Sequence, residues 1–350
     1  MPLHAPRLRL IDLFALIAVV GLGLALLMPA INAKREAGRR NVCVNKLREI
    51  GLALQSYHSA FGRFPALSTE PFPQTPGATG APATGFSWLV LILPYLDEVK
   101  LHNGISQASQ GFAPGTAAFS GKLVDADGRQ YSTFQPEAFL CPSFSGKIIS
   151  DLSGQAPYAN IPGQKLSGGH PVGIGISNYV ALSATDIDRM RGGGAQANGV
   201  IIPRKGLSIK EITDGTSSTA IACETRERRL NAWMDGGVNW VVGADPNNTT
   251  APTPDVNGFL ILQTRSDRTA LNVGPGIPPP TTRYLTQAKS PNGYEWTWGP
   301  SSEHTGGVIF HLFADGSVLG LTDDQTPTVY VQYITATGKE PVVDPHPGRE

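Results

Sequence analysis

The hydrophobic pattern of this chain changes character once, near its start. From Leu13 to Met28 the sequence carries no charge, and with Ala30 and Ile31 the apolar run reaches about 19 residues, broken only by Pro29. About 20 apolar residues cross a bilayer core as a helix. The run is apolar on every side, which disfavours a soluble helix lying half-buried on a domain. A secretory signal would have a shorter apolar region followed by a small-residue cleavage site. Here the segment continues directly into a helix of another kind. Cys43, Leu47, Ile50, Leu54, Tyr57 and Phe61 follow at intervals of four and three, one apolar stripe on a helix. Lys34, Arg35, Arg39, Arg40, Lys46, Arg48 and Glu49 fill the other faces. Gly62 suits the residue past a helix end, and Pro65 stops any continuation. The pattern predicts one helix from Leu10 to about Ala60, roughly 75 Å long at ~1.5 Å per residue. Half would lie in lipid and half would lay one face on a soluble domain.

The remaining chain alternates short apolar runs with long loops. Residues 66–85 are rich in Pro, Gly, Thr and Ala and read as a surface loop. Phe86 to Leu96 is too short for a second span and is broken by Pro94, so a short buried helix is expected. Asp125-Ala126-Asp127-Gly128 reads as a hairpin turn; it begins like a calcium loop, but Pro136 stands where the twelfth-position Glu belongs. Ser177–Ala181, Asn198–Ile202 and Thr219–Glu224 read as strands, and Ser208-Ile209-Lys210-Glu211 has capping-box form. Residues 244–292 form a Pro-, Asn-, Thr- and Gly-rich excursion. Near the end, two apolar strands flank Asp315-Gly316, the strongest hairpin signal in the chain. Val308 to Phe313 is apolar on both alternations apart from His311, so both faces of that strand should be covered. The expected fold is α+β: a long N-terminal helix on a mostly antiparallel sheet with long loops. The expected parts are a tail (1–9), a membrane half-helix (10–31), an amphipathic half-helix (32–64) and a loop-rich domain (65–350).

Composition narrows the function classes. The 28 basic and 28 acidic residues cancel, so nothing points to nucleic acid as a partner. Forty Gly and 29 Pro, with only 16% charged residues, favour a loop-rich exterior domain. Three cysteines, Cys43, Cys141 and Cys223, exclude a disulfide-dense scaffold, and the lack of a Cys-x-x-Cys disfavours a structural zinc site. No nucleophile elbow, His-Glu-x-x-His or phosphate loop is present, so neither an enzyme nor a cofactor or metal is expected. His304 and His311 are the only histidines with suggestive spacing, and structural hydrogen bonding to the hairpin or a nearby loop is the expected role of His304. Asp12 is a carboxylate near the start of a membrane helix, a costly placement that is usually functional; a local pair with Arg9, three residues earlier, is the alternative. Lys34, Arg35, Arg39 and Arg40 outnumber Arg7 and Arg9, so by charge alone the C-terminal side would face the cytoplasm.

A long run of residues carries a family resemblance: Leu10-Ile11-Asp12-Leu13, Ala33-Lys34-Arg35-Glu36-Ala37, Cys43, Ile50-Gly51-Leu52-Ala53-Leu54 and Gly62-Arg63-Phe64-Pro65. Phe139-Leu140-Cys141-Pro142-Ser143, Ile212-Thr213-Asp214-Gly215 and His304…Asp315-Gly316 extend it. The chain resembles the prepilin-like family of unknown function (domain of unknown function 1559), itself similar to type IV pilins and type II secretion pseudopilins. The resemblance implies a short cytoplasmic N-terminus and an exported domain, against the charge count. It implies that Asp12 occupies the position where pilins carry a Glu that meets the N-terminal amine of a neighbouring subunit. It implies Cys43–Cys141 as the first candidate disulfide; three reduced, buried cysteines are the alternative. Two departures stand out. Arg7 replaces the Gly before the processing point at Leu8, and ten residues rather than nine separate His304 from Asp315. One extra residue reverses the facing of a strand unless a bulge absorbs it, and a bulge between Val308 and Phe313 is expected. The implied function is that of a membrane-anchored envelope or surface subunit, structural in role, with membrane lipid and other pilin-like subunits or secretion machinery as partners. A tethered glycan- or solute-binding module, suggested by Trp233, Trp240, Trp296 and Trp298 among the loops, is the alternative, and a hydrolase the third.

Overall fold

The computed structural model describes residues 10–70, 85–114, 118, 123–146, 148–150, 174–185, 189–190, 197–203, 205–226, 231–237, 239–244, 253–254, 260–261, 271, 299–322 and 324–338. Arg7, Leu8, Trp296, Trp298 and most of the 244–292 excursion lie outside these residues, and of Asp12 only the helical backbone is described.

Helix α1 (Leu10–Phe61) is continuous over 52 residues, with Pro29 inside it. Its two halves behave as their patterns predict. Phe14 and every residue from Leu16 to Arg35 are exposed. Burial begins at Glu36 and continues through Cys43, Leu47, Ile50, Ala53 and Leu54. The stripe ends a turn earlier than expected. Tyr57 is half-buried, whereas Phe61 is exposed and packs its ring on Tyr57 at 4.4 Å. Gly62 closes the helix at φ +73°, its N–H bonding to His58 O at 2.7 Å. Helix α2 (Trp88–Ile92) and the following 3-10 turn (Leu93–Tyr95) pack on α1, and helix α3 (Val99–Ala108) packs on that turn. The Asp125–Gly128 segment is the expected turn: Gly128 N–H meets Asp125 O, and the Asp125 carboxylate accepts from Asp127 and Arg129 N–H groups.

Strands β1 (Ile149–Ser150) and β2 (Ile174–Gly175) form one small pair. The main sheet uses β3 (Tyr179–Ala184), β4 (Ala220–Glu224) and β5 (Trp240–Val242). Strands β6 (Thr253–Pro254) and β7 (Leu260–Ile261) pair separately. The main sheet is completed by β8 (Ile309–Phe313) and β9 (Val318–Leu321), in the order β5-β3-β4-β8-β9. Only β3 and β5 run parallel; the other three pairings are antiparallel. Residues 198–202 do not form the expected strand. They make a single bridge, Ile201 with Gly206, and Asn198 instead spends its carbonyl on Ala336 N–H.

The sheet is covered on both faces, as the unbroken apolar character of β8 predicts. On one side Tyr179, Ala181, Ala222 and Leu312 join the α1 stripe and Trp233 in one cluster. On the other, Val180, Leu182, Cys223, Ile309 and Phe313 pack on Tyr330, Tyr333 and Ile334, at and just beyond helix α4 (Pro327–Gln332). The close approach of α1 to the β8–β9 hairpin depends on Gly51. A Cβ there would stand 2.8 Å from Leu312 Cδ1 and 3.4 Å from Gly316 Cα. The hairpin itself turns at Ala314-Asp315-Gly316. Gly316 has φ +88°, its N–H bonds to Phe313 O at 2.9 Å, and Phe313 N–H bonds to Ser317 O at 2.9 Å. This is a type I turn closed by a left-handed glycine.

The bulge expected between Val308 and Phe313 is not there. Strand β8 pairs with β9 without interruption. The irregularity is on the partner strand: β4 advances two residues, Ala220 to Ala222, while β8 advances one, Phe313 to Leu312. Ile221 and Ala222 therefore both join the α1-side cluster, whereas Ala220 and Cys223 join the opposite one. The alternation of β4 is shifted, and Glu224 emerges on the α1 face.

Candidate functional site

That shift assembles the most unusual group of side chains among the described residues. His304 lies in the 302–307 loop before β8 and is buried, with Glu36 from α1 on one side and Glu224 from β4 on the other. Its Nδ1 is 2.9 Å from Glu36 Oε1 and its Nε2 is 3.2 Å from Glu224 Oε1. All three residues are 5% exposed or less. The second oxygen of Glu224 accepts Phe310 N–H at 2.9 Å. The second oxygen of Glu36 accepts Arg39 Nε at 2.8 Å and Arg39 Nη2 at 2.6 Å, and Ser143 Oγ lies 3.4 Å away.

The surrounding loops are tied to the same place. Arg40 donates to both the backbone and side-chain oxygens of Thr305, next to His304. Ser302 Oγ bonds to Val308 O and accepts His304 N–H, closing the loop on itself. Cys43 and Cys141 are joined by a disulfide with a Cα–Cα separation of 5.3 Å. Lys46, one turn along α1, donates to Glu137 O at 2.7 Å and Leu140 O at 3.0 Å. Asn178, preceding β3, accepts Cys141 N–H at 3.0 Å and donates to Thr225 O at 3.2 Å. The disulfide abuts the triad: Cys141 Sγ is 3.8 Å from His304 Nε2.

The electrostatics follow from burial and pairing. Burial alone would lower the His304 pKa, but the hydrogen bonds and charges of Glu224 and Glu36 outweigh it and hold it above the ordinary imidazole value. Burial raises the Glu224 carboxyl, and the bonds from His304 and Phe310 N–H offset this only in part. Burial also opposes ionisation of Glu36, yet its bonds to His304 and Arg39 prevail and its carboxyl sits below the usual range. An imidazolium donating from both nitrogens to two carboxylates satisfies every one of these contacts.

The sequence-derived site residues divide into three places. Cys43, Cys141 and His304 are brought together here, and the disulfide implied by resemblance is present. Asp214 and Gly215 are elsewhere: Asp214 Oδ2 accepts Gly338 N–H at 2.6 Å, and Gly215 turns the chain at φ +98°, pinning the segment after α4. Asp315 and Gly316 form the hairpin tip, where Asp315 Oδ1 accepts Ser317 N–H at 2.8 Å. The expectation that His304 bonds the hairpin or a nearby loop is corrected: its ring partners are two carboxylates on α1 and β4. His304 and His311 do not converge. His311 is on the opposite face, bonded to Tyr330 Oη at 2.8 Å and Ile309 O at 3.1 Å. Glu36 and Glu224 are the members that sequence reasoning missed. Glu36 did carry a signal, because it lies seven residues before Cys43 and so on the same helical stripe. Trp233 and Trp240 are buried core residues rather than a groove lining.

The cluster also contains one set of four metal-ligand types. Cys43 Sγ, Cys141 Sγ, Glu224 and His304 present ligand atoms all within 4.8 Å of one another. With the disulfide formed and His304 protonated on both nitrogens, only the Glu224 carboxylate of that set has a lone pair suited to an ion.

Together these features define a class: a long helix, long and apolar enough in its N-terminal half to cross a membrane, clamped to a five-stranded mixed sheet. The chain belongs to the family described as "Protein of unknown function (DUF1559)", whose model matches residues 32–328. No curated protein and no solved structure matches the chain.

Proposed function

We propose that this protein is a membrane-anchored, pseudopilin-like envelope subunit with a structural or interaction role rather than an enzyme. The observation that carries this reading is the division of α1. Residues from Leu10 to Arg35 project beyond the domain, roughly 39 Å of helix at ~1.5 Å per residue, enough for a ~30 Å hydrocarbon core. In water such an apolar surface has no cover; lipid, or the same segment of neighbouring subunits, supplies it. The Cys43–Cys141 disulfide supports an oxidising compartment for the domain, and hence export. The buried triad supports a structural role. Its polar atoms are satisfied by one another, by Arg39 and by Phe310 N–H, and it joins helix, loop and central strand, as a subunit loaded through its stalk requires. The burial of Trp233 and Trp240 removes the described part of the motive for a glycan-binding module.

The test is to produce the full chain with Leu24→Cys and fractionate the cells. The expected result is recovery in the membrane fraction, extraction only by detergent, and covalent dimers or larger species after mild oxidation in the membrane. Recovery in the soluble fraction without detergent overturns the anchor. Membrane recovery with monomer alone overturns the subunit role and leaves a tethered module.

A further inference from the structure

We infer that reduction of the Cys43–Cys141 disulfide converts the buried cluster into a tetrahedral site for a borderline-soft divalent cation of the zinc class, held by Cys43, Cys141, His304 and Glu224. The geometry is already close to that of such a site. Metal–ligand bonds of about 2.0–2.3 Å place tetrahedral ligand atoms roughly 3.3–3.8 Å apart. Two such edges are present: His304 Nε2 to Glu224 Oε1 at 3.2 Å, and His304 Nε2 to Cys141 Sγ at 3.8 Å. The four ligand atoms lie within 4.8 Å of one another, so side-chain rotation suffices to part the two sulfurs once their bond is broken and to draw in any edge longer than about 3.8 Å.

The supporting contacts are also those of a metal centre. A ligating histidine almost always gives its other ring N–H to a carboxylate, a backbone carbonyl or water, which fixes the tautomer and raises the basicity of the ligating nitrogen. Here His304 Nδ1 faces Glu36 Oε1 at 2.9 Å, leaving Nε2 toward the sulfurs. Glu224 is held in turn by Phe310 N–H through its other oxygen. Two thiolates and one carboxylate on a divalent ion leave one negative charge, and Arg39 and Arg40 stand on Glu36 behind the histidine. Mixed thiolate, imidazole and carboxylate ligands in a tetrahedral arrangement select zinc over the oxygen-seeking magnesium and calcium.

The chemistry balances with a dithiol as the reductant. One thiolate attacks Sγ of Cys141, the more exposed of the two residues, and the Cys43–Cys141 bond breaks with Cys43 leaving as thiolate; the second thiolate of the reagent then attacks the first and Cys141 leaves. The dithiol becomes a disulfide, and two electrons and two protons pass to Cys43 and Cys141. Metal binding then releases both thiol protons and the Nε2 proton of His304 to solvent. In either oxidation state, α1, the 139–143 segment, the 302–307 loop and β4 remain joined, by a disulfide and an ionic triad or by an ion.

The experiment uses the full chain in detergent, with Cys223→Ala to remove the remaining thiol. The chain is reduced with a dithiol, freed of it without oxygen, and titrated with Co2+ while absorbance and circular dichroism are followed. The expected result is one Co2+ per chain, with thiolate-to-cobalt charge-transfer absorption and tetrahedral visible bands, displaced by Zn2+ and absent from the oxidised chain. Glu36→Gln should weaken binding about 10–100-fold, as loss of a supporting carboxylate does. A reduced chain that shows no thiolate–cobalt band, or shows it equally with Cys43→Ser, overturns the inference. So does a reduced chain that loses its fold and is not restored by Co2+ or Zn2+.

Discussion

Replacing His304 by alanine tests whether the buried triad is the clamp described above. The substitution removes both ring donors and leaves Glu36 and Glu224 facing a cavity at 5% and 1% exposure. Two ordinary hydrogen bonds would cost ~1–3 kcal/mol, the scale suggested by an exposed or loop-bound histidine. The observed partners are buried carboxylates, and removing one side of a buried charged pair costs about 3–5 kcal/mol. Glu36 keeps Arg39, whereas Glu224 keeps only Phe310 N–H, so most of the loss should fall on Glu224 and be relieved by its taking up a proton. His304→Ala with Glu224→Gln should therefore be less destabilised than the sum of the two single changes. The assay is denaturant unfolding of the full chain in detergent under non-reducing conditions, followed by the fluorescence of the buried tryptophans. The pH dependence adds a sign. The His304 pKa is raised on folding, so its contribution is fully present below the unfolded value near 6.5 and is lost as pH rises through the folded value. The difference between wild type and His304→Ala should shrink on the alkaline side. A difference below about 0.5 kcal/mol, or one that does not change with pH, would refute the clamp.

His311 should act in the opposite direction. Burial lowers its pKa from 6.5 to about 4, so its share of stability is present above pH 6.5 and lost as pH falls toward 4, a loss of about 3 kcal/mol at ~1.4 kcal/mol per pH unit; His311→Gln should flatten this acid limb in the same unfolding assay. Gly51→Val should cost about 1–3 kcal/mol or shift α1 off the hairpin, since its Cβ meets Leu312 and the Gly316 backbone; an unchanged midpoint would show that α1 does not lie this close. Non-reducing peptide mapping should recover a Cys43–Cys141 peptide with Cys223 unmodified until unfolding, and loss of this cross-link over 98 residues should cost up to ~4–5 kcal/mol; a peptide joining Cys223 to either partner would contradict the fold.

The local features of this protein were legible in the sequence because they depend on near neighbours. The period of three and four from Cys43 to Tyr57 defines the buried face of α1, and the unbroken apolar run before it defines the exposed half. Asp315-Gly316 specifies its hairpin because the turn needs a left-handed residue at that place. Cys43 and Cys141 were paired by family resemblance, since no local rule joins residues 98 apart. The joining of the triad belonged to tertiary structure, although His304 stood out in the sequence and Glu36 lay on the helical stripe. Glu36, Glu224 and His304 are separated by 80 to 268 residues, and nothing in any one segment says that they meet. Which face Glu224 takes depends on a single register shift in β4, and an alternating strand offers no sign of where such a shift will fall. Only the packing of β4 between β3 and β8 decided that β4 bulges and β8 does not, and with it that two carboxylates, a histidine and a disulfide meet beneath the helix.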